Sequence, residues 1–157
     1  MTLDVGDKAP DFSLEDGDGN TVNLSALKGQ WVVLFFYPKD NTPGCTKEAC
    51  GFRDQYETFQ ADETLVLGVS LNDAKSHTKF STKYDLPFPL LCDCDAAVAT
   101  AYESYGWKKF MGKEYQGIYR QTFIINPDGN LAKIYRKVKP EPHAAQVLED
   151  LAELKAA

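Results

Sequence analysis

Long apolar runs, basic blocks and plentiful cysteine are all missing from this sequence, and each absence excludes something. No stretch approaches the ~20 apolar residues that a membrane-spanning helix needs. The opening MTLDVGDKAPDF has neither the basic start nor the apolar segment of a secretory signal. A cytoplasmic protein with no membrane partner is the expectation. The lysines are scattered through a chain of net charge -6, which speaks against a nucleic-acid-binding face. Four cysteines in 157 residues, at 45, 50, 92 and 94, are too few and too clustered to staple a chain of this length. In a reducing compartment they point to reactivity or metal more than to scaffold. No repeat, low-complexity segment or composition shift marks a boundary, so one domain over 1–157 is expected, long enough to bury its own core.

What is present is organised around residues 31–59, WVVLFFYPKDNTPGCTKEACGFRDQYETF. Residues 31–37 are almost continuously apolar and rich in β-branched and aromatic side chains, the pattern of a central strand covered on both faces. Pro38 ends it. Thr42 is placed to cap a helix and Pro43 to occupy its first position, where a missing N–H is harmless. Cys45, Ala49, Phe52, Tyr56 and Phe59 then recur at intervals of three and four, predicting one helix of about four turns with a single apolar face. Cys45 starts that stripe, whereas Cys50 falls with Arg53, Asp54 and Glu57 on the wetter side.

Around this unit, DGDGN between two short alternating segments predicts an N-terminal hairpin, and 25–29 a short helical turn ended by glycine. A second buried strand is predicted over 65–69, with a helix over 74–84 on its far side. The stretch 85–95 holds a short strand limited by two prolines. Asp95 is placed to cap a helix over 96–104, and 105–117 reads as a loop carrying Trp107, Phe110 and Met111. Strands at 119–125 and 131–136 flank N-P-D-G-N, a hairpin signal, and 143–154 closes the chain as a helix. His77 and His143 read as ordinary surface or cap residues. The order is that of an α/β protein with a mostly parallel central sheet and helices on both faces.

Cys45 in a first helical turn has chemical meaning, because backbone N–H groups there favour a thiolate. Thr42 can bring a hydroxyl to the same spot. Within a continuous helix, residues 45 and 50 have α-carbons roughly 9 Å apart, beyond the ~7 Å that a disulfide tolerates, so these two could join only if the helix start unwound. Other readings stand beside redox chemistry: Cys45 as plain core, Cys50 as an inert thiol, or a metal site. The last is disfavoured by spacing, since zinc pairs prefer two to four intervening residues and Cys92 and Cys94 have one. Cys92 and Cys94 read as bland thiols near a turn, with an auxiliary redox role as the alternative.

The segment FYPKDNTPGCTKEACGFRD closely resembles the active-site segment of the peroxiredoxins, and its C-x(4)-C spacing resembles the Q-type, or bacterioferritin-comigratory, group. APDFSLED, GVS, FPLL and FMGKEYQGIYRQTFIINPDGN extend the likeness over essentially the whole chain. The resemblance implies a thioredoxin-like fold and a thiol peroxidase. It casts Cys45 as the peroxidatic nucleophile, Cys50 as its resolving partner in an intramolecular disulfide, Pro38 as the pocket's shield, Thr42 as a hydroxyl holding the peroxide, and Arg120 as the distant arginine reaching the thiolate. Glu48 is weaker, since a carboxylate on a helix face is usually solvated. Implied partners are hydrogen peroxide, organic hydroperoxides and a thioredoxin-like dithiol; no haem, flavin or metal cofactor is implied. A monomer is expected. The Leu91-Cys92-Asp93-Cys94-Asp95 stretch departs from the group's usual Ser-Asp pattern.

Two rivals use the same fold. A protein disulfide reductase or isomerase would want C-x-x-C, which is absent. A holdase or binding module would leave the Thr42/Arg120 arrangement without purpose, and peroxide consumption in the absence of any protein substrate separates it from an enzyme.

Overall fold

In the computed structural model, which describes residues 2–156, a five-stranded sheet places both parts of the candidate site. The chain runs through β1 (Ser13–Glu15), β2 (Thr21–Asn23), a 3-10 turn (Leu24–Leu27), β3 (Trp31–Phe36), α1 (Pro43–Asp54), α2 (Tyr56–Ala61) and β4 (Thr64–Ser70). It continues through α3 (Ala74–Tyr84), β5 (Leu90–Cys92), α4 (Ala97–Ala101), β6 (Tyr105–Phe110), β7 (Lys113–Ile118), β8 (Gln121–Ile125), β9 (Leu131–Tyr135) and α5 (His143–Ala156). The sheet order is β5-β4-β3-β8-β9. β3 pairs in parallel with β4, and β4 with β5, while β8 runs antiparallel between β3 and β9. Four of the five strands therefore share one direction and β8 alone opposes them, the mixed, mostly parallel sheet that was expected. β1 and β2 form the expected N-terminal hairpin.

β3 is apolar without interruption because both of its faces are buried. Val33, Phe35 and Tyr37 point to one side, into a core shared with Cys45, Ala49 and Phe52 of α1, Phe59 of α2, Phe80 of α3 and Val147 and Leu151 of α5. Val32, Leu34 and Phe36 point to the other, against Phe12, Leu24, Ala99, Tyr102, Phe123 and Leu131. Polar residues on either face would have to lose water without a partner.

Several expectations need correction. The helix at 74–84 does not lie on the far side. Two successive right-handed crossovers stepping the same way, from β3 to β4 to β5, put α1 and α3 on one face. α4, the 3-10 turn and the N-terminal segment cover the other. The single helix expected through Phe59 is divided at Gln55 (φ -102°, ψ 5°), and the second piece seats Phe59 against Phe52 at 5.8 Å between ring centroids. The helix expected over 96–104 is confined to α4. Its main cap is Asp93, whose carboxylate accepts from Val98 N and Ala99 N, while Asp95 accepts only from Ala97 N. Glu103 in the left-handed region (φ 59°) ends it, and Ser104 N–H returns to the Ala99 carbonyl.

The segment 105–117 is not a loop. β6 and β7 pair antiparallel about Met111 (φ 52°) and Gly112 (φ 79°), the two left-handed residues that a tight hairpin turn of matching twist requires. β8 begins at Gln121, so Tyr119 and Arg120 stand just outside the strand expected to include them. Both histidines are buried, at 1% exposure, rather than on the surface. Among the described residues no helix is long and apolar enough to cross a membrane.

Candidate active site

The buried end of β3 runs through Tyr37 and half-buried Pro38 into the turn before α1. A cluster of buried polar groups fixes that turn. Tyr37 donates its hydroxyl to Asp40 Oδ1 at 2.5 Å, and Ser76 Oγ donates to Asp40 Oδ2 at 2.8 Å. His77 Nδ1 lies 2.8 Å from the same Oδ2, and Nε2 donates to the Leu91 carbonyl at 2.9 Å. Asp40 N–H donates to Asn72 Oδ1. Burial first, and the Asp40 charge next, push the Tyr37 hydroxyl well above the ordinary tyrosine range. Apart from Asp40, which directly follows Pro38 and Lys39, nothing local in the sequence signals this cluster; His77 joins it from another helix.

α1 begins where the sequence placed it. Thr42 occupies the cap position in extended conformation (φ -99°, ψ 156°), Pro43 opens the helix, and Thr46 N–H donates to the Thr42 carbonyl at 2.8 Å. The Thr42 side chain does not cap. Its hydroxyl donates to the Lys39 carbonyl at 2.9 Å, so its proton is committed and its lone pairs are free to accept. Cys45 sits in this first turn at 1% exposure.

Arg120 comes from the other end of the chain. The antiparallel register sets Gln121, the first residue of β8, against Phe36, the last of β3, so the residue before β8 lies beside the residues after β3. Its Nη2 donates to Cys45 Sγ at 3.3 Å and its Nη1 to Glu48 Oε1 at 2.7 Å. Gly44 makes room for it: a Cβ there would stand 3.1 Å from Nη2. Glu48 is fully buried, and its Oε2 has no hydrogen-bond partner among the described residues. Burial raises its carboxyl to about 7 despite the opposing guanidinium. The ordinary solvated carboxylate expected at 48 is therefore a buried arginine partner instead.

Lys108 escaped the sequence reading. It lies within the electrostatic reach of Cys45 and Arg120, donates to the Ile118 carbonyl at 2.9 Å, and is held below the usual lysine range by burial and then by Arg120. Its position on the unforeseen β6–β7 hairpin explains the omission.

Cys50 lies half-buried on the Arg53 side of α1, with burial pushing its thiol up against the pull of Arg53. α1 is continuous through both cysteines, and all four cysteines are free. Cys92 and Cys94 stand elsewhere, at the end of β5. Burial chiefly, then Cys94, Asp73, Asp40 and Glu15, push Cys92 up to about 11. Cys94 is exposed, with its sulfur 3.7 Å from the Asn72 carbonyl. Among the described residues no group of three or more His, Cys, Asp or Glu is disposed to hold a metal.

Chemically, the arrangement is a buried sulfur at a helix start, one guanidinium N–H aimed at it, and a hydroxyl oxygen with free lone pairs one turn before. The guanidinium compensates negative charge on the sulfur or on an oxygen bound beside it.

The AhpC/TSA family matches residues 5–134. Peroxiredoxin Bcp of Bacillus subtilis strain 168 is 47% identical over 154 residues, 98% of each chain. Peroxiredoxin Bcp of Escherichia coli K12 is 42% identical over 151 residues, 96% of this chain and 97% of that one. The solved structure of the Xanthomonas campestris bacterioferritin comigratory protein, a protein studied for alkyl peroxide reduction, superposes with a TM-score of 0.90 at 37% identity, covering 98% of both chains. Identity at this level over the full length, on the same thioredoxin-like frame, means that this chain belongs to the AhpC/TSA family, among the peroxiredoxins.

Proposed function

We propose that this peroxiredoxin reduces hydrogen peroxide and organic hydroperoxides at Cys45 and closes an intramolecular disulfide with Cys50. The observation that carries this reading is the 3.3 Å hydrogen bond from Arg120 to the buried Cys45 sulfur at the start of α1. The thiolate attacks the terminal peroxide oxygen, the O–O bond breaks, and the departing oxygen takes up a proton to leave as water or alcohol. Cys45 is left as a sulfenic acid. Arg120 Nη2, already at the sulfur, is positioned to donate hydrogen bonds to the incoming oxygens, and the Thr42 hydroxyl oxygen to accept a hydrogen bond from the peroxide O–H. Pro38 walls the pocket. Glu48 holds the other arm of Arg120 and so fixes its direction.

Resolution requires the start of α1 to open, because a helix keeps the two cysteines about 9 Å apart at their α-carbons. The Cys50 sulfur then attacks the sulfenic sulfur, an S–S bond forms and water departs. A thioredoxin-like dithiol reduces the bridge by exchange. We read the chain as a cytoplasmic monomer without a nucleic-acid partner, in keeping with its net charge of -6 and scattered lysines. The test is mass and disulfide mapping after an equimolar dose of hydrogen peroxide. The expected result is loss of both thiol hydrogens with a Cys45–Cys50 link, no link in Cys45→Ser, and a sulfenic or over-oxidised Cys45 in Cys50→Ser. Fastest reaction at Cys92 or Cys94 would overturn the assignment.

A further inference from the structure

Five large apolar side chains stand exposed among the described residues, and four belong to the β6–β7 hairpin: Trp107 (66%), Phe110 (66%), Met111 (87%) and Tyr115 (44%). Among the described residues the two strands pair only with each other. Their register sorts the side chains. Lys108 faces Tyr115 and Phe110 faces Lys113 on one side of the ribbon, while Trp107 faces Gln116 and Lys109 faces Glu114 on the other. Met111 forms the tip. Apolar groups thus project from both faces and from the end at once. A flat protein surface covers one face of such a ribbon and leaves the other wet. The boundary of a lipid bilayer surrounds a tip on every side.

The charges agree. Three lysines stand against one glutamate between 105 and 118, giving a positive segment in a chain of net charge -6. We propose that this hairpin seats in the interface of an anionic bilayer, with Trp107, Phe110, Met111 and Tyr115 among the upper acyl carbons and Lys109 and Lys113 at the headgroup phosphates. Aromatic rings and lysines with apolar stems are the side chains suited to that boundary.

The hairpin's base is tied to the active site. Tyr119, next to Arg120, donates its hydroxyl to the Trp107 carbonyl at 2.8 Å and fills the space that a Cβ on Gly106 would occupy. A hairpin seated on a bilayer would therefore hold the Cys45 pocket beside the lipid surface, within reach of hydroperoxides formed there. That use rests on the peroxidase reading, whereas the binding itself does not.

The test uses the full chain and vesicles of phosphatidylcholine alone or mixed with phosphatidylglycerol, the latter also with acyl chains brominated. In a Trp31→Phe background, Trp107 is the sole tryptophan. The expected result is flotation with the anionic vesicles, a blue shift of Trp107 emission and quenching by the bromines, all weakened by salt. Lys109→Gln or Lys113→Gln should weaken binding about fivefold each. Phe110→Ser with Met111→Ser should abolish it while far-UV circular dichroism stays unchanged; flotation by wild type supports the reading should Trp31→Phe misfold. No flotation of wild type and no shift of Trp107 would overturn the proposal. So would sedimentation showing a dimer that Phe110→Ser dissociates, which would assign the hairpin to a second copy of this chain. Because the readout is binding, a protein that floats but consumes no peroxide would sink only the peroxidase reading.

Discussion

Cysteines stand at or beyond the ends of two strands of one sheet, β3 and β5, and their surroundings differ. Beyond the end of β3, Cys45 lies buried in the first turn of α1 and accepts from the Arg120 guanidinium at 3.3 Å. At the end of β5, Cys92 meets Cys94 and the carboxylates of Asp73, Asp40 and Glu15, and its thiol is pushed up to about 11. Both sulfurs are at least partly withdrawn from water. The charge around them differs in sign: a guanidinium stands at Cys45, whereas carboxylates and a second thiol surround Cys92.

The sharpest way to break the comparison is to remove the cation. Arg120→Met should lower the second-order rate of Cys45 with peroxide by about a hundredfold to a thousandfold, as loss of one preorganised donor does elsewhere. Stopped-flow tryptophan fluorescence measures it, and a rate within a few-fold of the parent would put the reactivity in the helix start alone. Next in size is Cys92 itself. With its thiol pushed up to about 11, it should alkylate at pH 7 roughly a hundredfold more slowly than a free thiol, gaining rate up to that pH. Mass mapping after timed iodoacetamide exposure follows this, and a Cys92 labelled as fast as Cys45 would erase the contrast.

A smaller effect is expected from Gly44→Ala. The added methyl would stand 3.1 Å from Arg120 Nη2 and displace it by a few tenths of an ångström. About a tenfold loss in the peroxide rate should follow, with the fold unchanged. The smallest change belongs to the dependence of stability on pH. Burial raises Glu48 from 4.5 to about 7, so its contribution is full below pH 4.5 and is lost as pH rises through about 7. Burial lowers His143 from 6.5 to about 4, so its contribution is present above pH 6.5 and is lost as pH falls toward 4. The two slopes oppose each other. Glu48→Gln should therefore make stability fall more steeply on acidification from pH 6.5 to 4, and His143→Asn should make it fall as pH rises from 4.5 to 7. Urea unfolding across that range reads both, and parallel curves for the variants and the parent would remove these groups from the account.

Much of the candidate site's geometry was legible because its Cys45 half is local. Thr42, Pro43 and Cys45 fix a helix start within four residues, and an apolar run of six sets the strand that aims it. The hairpin at 105–118 was missed for a different reason. Its turn, Met111-Gly112, carries none of the common Asn-Gly or Asp-Gly signals, and its strands bury little.

The sequence by itself determined β3, the start of α1, the hairpins around DGDGN and NPDGN, and the two cysteines with a helix between them. Short-range sterics, capping and hydrophobic period act over a few residues and need no partner. Tertiary structure alone decided that Arg120 meets a sulfur 75 positions away, through the antiparallel insertion of β8 beside β3. It also decided that Glu48 and His77 are buried, and that α3 shares a face with α1. Those outcomes depend on which strands neighbour one another and on the handedness of their crossovers, and no local window of sequence carries either.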